Sequence, residues 1–453
     1  MDNSLNAISP LDGRYFNKIK ELAPIFSESA LIKYRLKVEV EYLLALAGES
    51  KISEIGTLAE ADKVYLQNLY LKFNEAEAAK VKKIEQTTNH DVKAAEYYLK
   101  EKISKIKGLN SEFVHFALTS EDVNNLAYSL MLKDGLAVYE NYLKKLLKIL
   151  KDLAIRYKGM PLLALTHGQP ATPTTVGKEL AIFYWRLAEK IRGIAEHKLQ
   201  GKFSGAVGNW NAQVIAYPKV DWPAFSQKFV ESLGLVFNPL TTQIESHDSL
   251  ASIYHKLIRT NNVIKNLDQD IWLYISRDIF KLKAVKGEVG SSTMPHKINP
   301  IDFENSEGNM GLSNALLAHL ADKLPVSRWQ RDLTDSTVLR NQGVALGYGL
   351  LALTMALKGL EKLEVNKEKA ADELNAHWEV LAEPIQVVLR KAGYPKPYET
   401  LKQLTRGQKI TKPVVQKFIR GLKIAKAEKA ELLRLTPEKY LGLAVKLVDK
   451  YLK

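Results

Sequence analysis

The chain has 453 residues, enough for two or three domains with large cores. It contains no cysteine, which excludes disulfides, thiolate metal sites, iron–sulfur clusters and cysteine nucleophiles. Lysine and arginine total 65 against 51 aspartate and glutamate residues, a formal net charge of +14. The lysines are spread along the chain in short groups, so the charge indicates solvated helix faces rather than a nucleic-acid-binding arm.

The N-terminal segment MDNSLNAISPLDGRYF lacks a basic stretch followed by an apolar one, so no secretory signal is predicted. The longest apolar stretch, 343–357, has about fifteen residues, fewer than the roughly 20 that span a bilayer. We therefore expect a cytoplasmic protein without a membrane segment, in which 343–357 forms a buried helix.

Helical patterns dominate the chain. Residues up to about 110 predict shorter helices, including 75–84 and 92–105. The middle of the chain predicts about five long helices. Two of them have apolar residues three or four apart, in the stripes 176–194 and 250–275. The second stripe lies within 240–286, which contains no glycine or proline and predicts one very long helix or two nearly continuous ones. The others are predicted at 121–157, 309–323 and 344–363.

Strand signals are almost absent, because no Asn-Gly or Asp-Gly dipeptide separates two alternating apolar runs. We predict an all-α fold with a central bundle of long helices. Soft boundaries near residues 111 and 364 divide it into an N-terminal helical domain, a central long-helix bundle domain and a C-terminal helical domain, at 1–111, 112–364 and 365–453.

Several breaks between helices are dense in reactive side chains, whereas turns normally carry only capping residues. The first is 87–91, TTNHD. Its local sequence favours an N-cap, with Thr88, Asn89 or Asp91 holding the helix that follows. A functional role for His90 stays open beside that interpretation.

The segment 119–122, TSED, also suits a helix start, with Thr119 or Ser120 as the cap and acids in the first turn. Exposed backbone N–H groups at such a start equally suit an anionic ligand. The segment 166–173, THGQPATP, places His167 in a turn bounded by glycine and proline. Histidine titrates near neutrality, so a structural turn and a catalytic acid are about equally favoured there.

The segment 287–300 follows the long helix and combines glycines and serines, which permit close backbone approach, with Lys297 and Asn299, which suit a carboxylate. The run 328–340 offers three arginines and hydroxyls suited to phosphate, or a salt-bridged connection. No ligand spacing typical of zinc is found, and neither a P-loop nor a G-x-G-x-x-G motif is present. We expect no cofactor and no metal.

The segment 290–299, GSSTMPHKIN, resembles the characteristic G-S-S-x-M-P-x-K-x-N segment of the fumarase/aspartase superfamily. Its Met-Pro-His-Lys form is similar to that of adenylosuccinate lyases and carboxymuconate cycloisomerases. The segments TTNHDVKAAE, TSEDVNN, THGQPATPTT and RWQRDLTDSTVLR match the pattern of the adenylosuccinate lyase family. With SPLDGRY near the N-terminus, the resemblance extends over essentially the whole chain.

The resemblance implies a three-domain helical fold and a homotetramer whose active sites draw loops from different subunits. It also implies β-elimination of fumarate from nucleotides, which converts adenylosuccinate to AMP and the succinylaminoimidazole carboxamide ribotide to the aminoimidazole carboxamide ribotide. Two groups on opposite sides of the substrate are needed for this reaction. A base removes a proton from the carbon beside a carboxylate, and an acid protonates the departing nitrogen.

By the same resemblance, Ser291 is the base and His167 is the acid. Glu304 orients or charges the histidine, and His90 assists nearby. A serine hydroxyl is a very weak base, so the alkoxide needs Lys297, loop N–H groups and exclusion of water to lower its pKa.

The resemblance also implies a substrate shell. The succinyl carboxylates are expected to contact Thr119, Ser120, Ser292, Lys297 and Asn299. The nucleotide phosphate is expected near Arg14, Tyr15, Arg331, Ser336 and Arg340. The rest of the shell consists of Asn89, Asp91, Gln243 and Asn305.

Three other functions are weighed against this one. A lyase or cycloisomerase acting on a dicarboxylate without a nucleotide would have no use for the phosphate-suited arginines. A silent scaffold on the same fold would not need the serine, histidine and lysine. A nucleic-acid binder would need a recognisable binding module, and none is found.

Overall fold

The structure, a computed structural model, describes residues 5–284, 294, 297–405 and 409–452. Helices make up 66% of it and strands are few, which confirms the predicted all-α fold. Shorter helices precede the long ones, as predicted. They are α1 (Phe16–Ile19), α2 (Ala23–Phe26), α3 (Glu28–Ala47), α4 (Glu60–Leu71), α5 (Glu75–Thr88) and α6 (Asp91–Ile103).

The middle of the chain carries the long helices. Its helices are α7 (Ser120–Arg156), α8 (Val176–Ala195), α9 (Asn211–Ala216), α10 (Trp222–Ser232), α11 (Asp248–Ser276), α12 (Ile301–Lys323), α13 (Thr334–Leu339) and α14 (Gln342–Glu361). Five of them, α7, α8, α11, α12 and α14, have 20 to 37 residues and confirm the five predicted long helices. Each apolar stripe is buried, except that Ile275 is half-buried.

The helix predicted at 240–286 is shorter than its glycine- and proline-free sequence indicates. The backbone takes the left-handed conformation at His247, with φ 62°, and again at Asp278, with φ 59°. A residue with positive φ does not continue a right-handed helix. These two residues therefore bracket α11, and the segment after Asp278 becomes a strand.

Short helices complete the C-terminal region. They are α15 (Lys367–Ala376), α16 (Ala382–Lys391), α17 (Pro397–Thr405), α18 (Lys412–Gly421), α19 (Lys426–Arg434) and α20 (Ala444–Tyr451). Single 3-10 turns occur at Lys20–Leu22, Ser111–Phe113, Trp378–Leu381 and Pro437–Lys439. Leu374, Leu381, Leu389 and Ile419 belong to an apolar cluster that buries the inner faces of α15 to α19.

Within the part of the chain that the structure describes, eight strands of two or three residues form four small pairs. The strands are β1 (Pro161–Leu162), β2 (Leu165–Thr166), β3 (Gln169–Pro170), β4 (Thr174–Thr175), β5 (Gln200–Gly201), β6 (Val236–Phe237), β7 (Phe280–Leu282) and β8 (Leu363–Val365). Pairs β1–β4, β2–β3 and β7–β8 are antiparallel, and β5–β6 is parallel. Such strands are too short to show alternation, so the sequence analysis did not predict them.

The chain divides into two compact units. Unit 1 comprises Met1–Leu143, Lys190–Asn262 and Gly308–Thr354. Unit 2 comprises Lys144–Glu189, Val263–Glu307 and Met355–Lys453. Every boundary between these segments falls inside one of the five long helices. The three-domain division at residues 111 and 364 stays a prediction.

In unit 1, two long helices pack closely on one aromatic side chain. A Cβ atom added to Gly135 of α7 would lie 2.5 Å from ring carbons of Phe26, and one added to Gly343 of α14 would lie 2.4 Å from the Phe26 Cβ. Both distances are below any normal carbon–carbon contact. The absence of a side chain at both positions therefore makes room for Phe26.

One stretch, Thr334–Glu361, is long and apolar enough to cross a membrane by length and composition alone. The apolar run 343–357 was expected to be too short to cross a membrane, and by length and composition that expectation is wrong. However, 67% of its most apolar window is buried inside the protein. Such burial is typical of a core helix, the role predicted for 343–357.

Candidate active site

The predicted site residues of unit 1 begin where α5 ends and α6 begins. Asn89 ends α5 in the left-handed conformation, with φ 49°. His90 is the N-cap of α6, and its Nδ1 accepts the backbone N–H of Lys93 at 3.2 Å while 53% of the side chain stays exposed. The predicted helix start is confirmed, but the capping side chain is His90 rather than Thr88, Asn89 or Asp91.

Asp91 lies between two arginines. Arg35 Nη2 donates to Asp91 Oδ2 at 2.7 Å, and Arg340 Nη2 donates to the same oxygen at 2.8 Å. Arg340 also donates to Glu28 at 3.0 Å, and Arg35 donates to Asn124 at 2.9 Å. Burial raises the pKa of Asp91, but the two guanidinium charges outweigh it and hold that pKa below its ordinary value. A phosphate at Arg340 would therefore share the guanidinium with protein carboxylates.

A buried ion pair between Asp122 and Lys202 fixes the start of α7. Asp122 Oδ2 accepts the backbone N–H of Thr119 at 2.9 Å, which fixes the half-buried pair Thr119 and Ser120. The other carboxylate oxygen accepts Lys202 Nζ at 2.7 Å and the backbone N–H groups of 204–205 at 3.0 and 3.2 Å. The predicted acids are present in the first turn of α7, and they orient the helix end that is expected to meet the succinyl group.

Gln243 lies in the segment before α11, beside the predicted phosphate site. Its backbone N–H donates to the carbonyl of Gln330 at 3.2 Å, and its side chain donates to the carbonyl of Ala206 at 3.0 Å. Arg331, the residue after Gln330, donates from Nη1 to Glu121 Oε2 at 3.0 Å. The structure thus brings Gln243 and Arg331 together at the start of α7.

A buried group of ionisable side chains surrounds Arg331. Its Nη2 lies 3.6 Å from Asp335, and Asp335 and Glu121 face His247. One ligand-capable atom of each of these three residues lies within 4.8 Å of the others, a spacing that a metal ion can also bridge. Burial raises the pKa of Glu121, and His247 and Arg331 only partly offset that effect.

The remaining predicted residues of unit 1 are more exposed. The guanidinium of Arg14 lies 5.7 Å from the centre of the Tyr15 ring, a cation–π contact on an exposed arginine. Ser336 is half-buried at the start of α13, where its backbone N–H donates to Asp335 Oδ1 at 2.7 Å. The hydroxyl groups of Tyr15 and Ser336 and the guanidinium of Arg14 are hydrogen-bonding groups suited to a phosphate.

In unit 2, His167 lies at the tip of a hairpin between β2 and β3. The two turn residues, His167 and Gly168, have φ 54° and 72°, the geometry of a tight two-residue turn. His167 is exposed. The turn was predicted and the strands were not, and the two-residue loop sets the direction in which the imidazole leaves the backbone.

The other predicted residues of unit 2 lie at the start of α12. Trp272 Nε1 donates to Glu304 Oε1 at 3.0 Å, so within the described residues Glu304 hydrogen-bonds to this indole. Lys297 is exposed and Asn299 is half-buried in the segment leading to the helix, and Asn305 is half-buried one residue after Glu304. The predicted residues Ser291 and Ser292 lie outside the described residues.

Four residues with site contacts were missed by the sequence analysis: Arg35, Lys202, Glu245 and His247. Arg35 and Lys202 are charged but fully buried, and each pairs with a residue far away in sequence. Local patterns do not encode such pairings. The run ESHD at 245–248, directly before the long apolar stripe, was a usable signal, because polar residues at that position are typical of a helix start.

Comparison with known proteins shows the family. Residues 13–316 match the family model described as Lyase, and residues 327–441 match the one described as Adenylosuccinate lyase C-terminal. The chain is 53% identical over 451 residues to the adenylosuccinate lyase of Escherichia coli strain K12, with 99% of each chain covered. It is 52% identical over 453 residues to that of Haemophilus influenzae, again with 99% of each covered. The chain belongs to the adenylosuccinate lyase family.

Solved structures of more distant proteins share the fold. A fumarate lyase from Mesorhizobium sp. BNC1 has a TM-score of 0.74 at 18% identity, with 96% of this chain and 97% of that chain covered. The 3-carboxy-cis,cis-muconate lactonizing enzyme from Pseudomonas putida also has a TM-score of 0.74, at 23% identity, with 96% of each covered. At these identities the likeness establishes the fumarase-like fold alone, as expected for a member of the adenylosuccinate lyase family.

Proposed function

We propose that this lyase eliminates fumarate from adenylosuccinate to give AMP, and from the succinylaminoimidazole carboxamide ribotide to give the aminoimidazole carboxamide ribotide. The observation that carries the proposal is identity of about one half to curated adenylosuccinate lyases along the full length of both chains. Substrate choice depends on many loops at once. Similarity restricted to the fold would not support a substrate, whereas similarity through every loop does.

In the proposed reaction, Ser291 removes the proton from the carbon beside a succinyl carboxylate. The electron pair left on that carbon forms the new double bond of fumarate, and the carbon–nitrogen bond breaks. His167 delivers a proton to the departing nitrogen. The exposed position of His167 at a rigid hairpin tip supports this role, because an acid must reach a substrate atom rather than a core partner.

The negatively charged groups of the substrate, its succinyl carboxylates and its phosphate, are assigned to different residues of the predicted shell. We place the succinyl carboxylates at the start of α7, where Thr119 and Ser120 are held by Asp122, and at Ser292, Lys297 and Asn299. The phosphate is placed near Arg14, Tyr15, Arg331, Ser336 and Arg340. Bidentate guanidinium groups suit a phosphate dianion, and protein carboxylates orient those of Arg331 and Arg340 before it binds.

A homotetramer with shared active sites is part of the proposal. Within the described residues, Glu304 hydrogen-bonds to Trp272 rather than to His167, so a glutamate that charges His167 would come from another subunit. Large apolar side chains are exposed on the long helices, among them Trp185 at 55%, Leu273 at 54% and Leu312 at 51%. Association of such helices would bury them. We propose a cytoplasmic location for the assembly.

The test is the ultraviolet change on adding adenylosuccinate to the metal-stripped protein, with fumarate and AMP quantified in the same sample. Equal amounts of the two products support the proposal. Ser291→Ala should keep fold and oligomeric state and lower kcat by about 10²–10⁴-fold, the usual range for a general base. A folded protein that releases no fumarate would move the proposal to another dicarboxylate substrate or to a silent scaffold.

The oligomeric state is tested separately by light scattering of the purified protein. A mass of four chains supports the shared active site, and Leu273→Glu, which places a charge on an exposed apolar position, should lower that mass and the turnover together. The exposed Lys198→Glu on a connecting segment is the control and should change neither. A monomer with full turnover would remove the shared site from the proposal.

A further inference from the structure

His247 lies in unit 1 and is surrounded by three carboxylates, more than one salt bridge requires. Its Nδ1 is 3.9 Å from Glu245 Oε2, and its Nε2 is 3.9 Å from Asp335 Oδ2. Glu121, Asp335 and His247 are each 3% exposed or less. The only cation paired with these carboxylates among the described residues is Arg331, through Glu121 at 3.0 Å and Asp335 at 3.6 Å.

The charges of this cluster do not balance without His247. Glu121 and Asp335 share one guanidinium, that of Arg331, and the third carboxylate, Glu245, lies 3.9 Å from His247. Buried charge without a partner is strongly unfavourable, so an uncompensated excess is not tolerated. Burial lowers the pKa of His247, but pairing with Asp335 and the charges of Glu121 and Glu245 outweigh it and raise that pKa above its ordinary value.

Three buried atoms of the cluster face one another without a hydrogen bond: Glu121 Oε1, His247 Nε2 and Asp335 Oδ2. With Glu121 ionised, as its ion pair with Arg331 at 3.0 Å indicates, two explanations fit such an arrangement: an imidazolium between two carboxylates, or a metal ion held by all three residues. Arg331 already contacts the other oxygen of each of the carboxylates of Glu121 and Asp335. A divalent ion beside a guanidinium is electrostatically unfavourable, so the imidazolium is the explanation that the geometry favours.

Each member of the cluster adjoins a segment of the proposed substrate shell. Glu121 follows Ser120 at the start of α7. Asp335 precedes Ser336 at the start of α13. His247 ends the segment of Gln243, whose backbone N–H is bonded to the carbonyl of Gln330. The cluster therefore joins three segments that are far apart in sequence.

We infer that His247 is a positioning residue: as an imidazolium between Glu121 and Asp335, it holds the three nucleotide-binding segments together and keeps Arg331 available to the phosphate. The inference rests on the proposed function. Without the imidazolium charge, both carboxylates compete for Arg331, and the guanidinium is drawn into the protein. The expected consequence is weaker nucleotide binding with little change in the chemical step, since His247 touches neither reacting atom.

The test compares His247→Gln with His255→Gln, a matched variant at an exposed position on α11. The amide of glutamine can still donate a hydrogen bond but carries no charge. At pH 7, His247→Gln should bind AMP about tenfold more weakly by calorimetry, which corresponds to about 1.4 kcal/mol, and its kcat should change less than about threefold. His255→Gln should match the wild-type protein in both measurements.

The pH dependence adds a measurement that a structural role alone would not change. The imidazolium is present below the raised pKa of His247 and is lost as pH rises through it. AMP affinity of the wild-type protein should therefore fall towards that of His247→Gln as pH rises above the ordinary titration range of histidine. An equal affinity in the two proteins at pH 7, or a gap that stays constant at every higher pH at which the protein remains folded, would overturn the inference.

Glu121→Gln tests the same charge balance should His247→Gln fail to fold. It removes one negative charge and keeps a hydrogen-bond partner for Arg331. Because that charge helps to raise the pKa of His247, the fall in AMP affinity should move to lower pH. An unchanged midpoint of this fall would contradict the inference. A divalent ion bound in stoichiometric amount by the wild-type protein and lost in His247→Gln would replace the imidazolium with a metal site. Failure of the proposed function looks different, because the wild-type protein would then release no fumarate.

Discussion

The ammonium group of Lys202 lies 2.7 Å from the carboxylate of Asp122, with both side chains completely buried. Lys202 also donates to the carbonyl of Gly205 at 2.6 Å, and Asp122 accepts three backbone N–H groups. The pair is thus satisfied on both sides. It connects the segment after β5 to the start of α7, the helix end at which we place a succinyl carboxylate.

Removing the lysine should be costly. Lys202→Met keeps the length of the side chain but leaves the Asp122 carboxylate without its cation, and breaking one side of a buried pair costs about 3–5 kcal/mol. We expect a lower midpoint of urea unfolding followed by circular dichroism. Lys198→Met, at an exposed lysine four residues earlier, is the control. Equal midpoints in the two variants would show that the pair contributes little.

His167→Asn should separate activity from stability. Asparagine tolerates the left-handed backbone at this position, so the hairpin should keep its shape, and the side chain is exposed. The thermal midpoint should stay within about 1 °C of the wild-type value, whereas kcat should fall about 10²–10⁴-fold through loss of the acid. Steady-state turnover and calorimetry test this. A variant with near-normal kcat would exclude His167 as the proton donor.

Acid should weaken the contacts at the start of α6. The pKa of Asp91 is lower in the folded protein than in the unfolded chain, so this carboxylate stabilises the fold above about pH 4, and the contribution disappears as pH falls through the lowered value. Asp91→Asn should lose that increment at pH 7 and show a flatter dependence of the thermal midpoint on pH between 3 and 7. Asp372→Asn, at an exposed aspartate, should follow the wild-type curve.

The contact of Phe26 with α14 predicts intolerance of a single methyl group. Gly343→Ala forces Phe26 to move and should destabilise the protein by about 1–3 kcal/mol. Gly193→Ala, a helical glycine whose added Cβ meets nothing within 4 Å, should be neutral or slightly stabilising. Denaturant unfolding of both variants gives the comparison. The double variant Gly343→Ala with Phe26→Leu should recover part of the loss if the clash is the cause.

The sequence predicted what depends on near neighbours. Helical patterns located all five long helices, although the start of α12 and both ends of α11 lie about eight to ten residues from their predicted positions. The polar run at 119–122 located the start of α7. His167 was placed in a turn because Gly168 follows it. These features depend on spacing within a few turns of chain, which local patterns record directly.

What the sequence did not predict depends on distant partners. The local sequence around Lys202 predicts a solvent-exposed lysine, yet its side chain is buried against the carboxylate of Asp122, 80 residues earlier. Arg35 lies on one helical stripe of α3 with the apolar residues Leu31, Val38 and Tyr42, and it pairs with Asp91, 56 residues later. His247 precedes a helix and resembles a cap. A charged residue inside an apolar helical stripe is the usable signal in such cases, because it must find a partner in the core.

The capping role of His90 restricts what its imidazole can do for the substrate. Because Nδ1 accepts the backbone N–H of Lys93, the ring proton of a neutral His90 is on Nε2. The exposed nitrogen then presents a proton rather than a lone pair. An imidazole in this tautomer can polarise a substrate oxygen or nitrogen and cannot abstract a proton. The helix cap therefore limits the assisting role predicted for His90 to donation of a hydrogen bond.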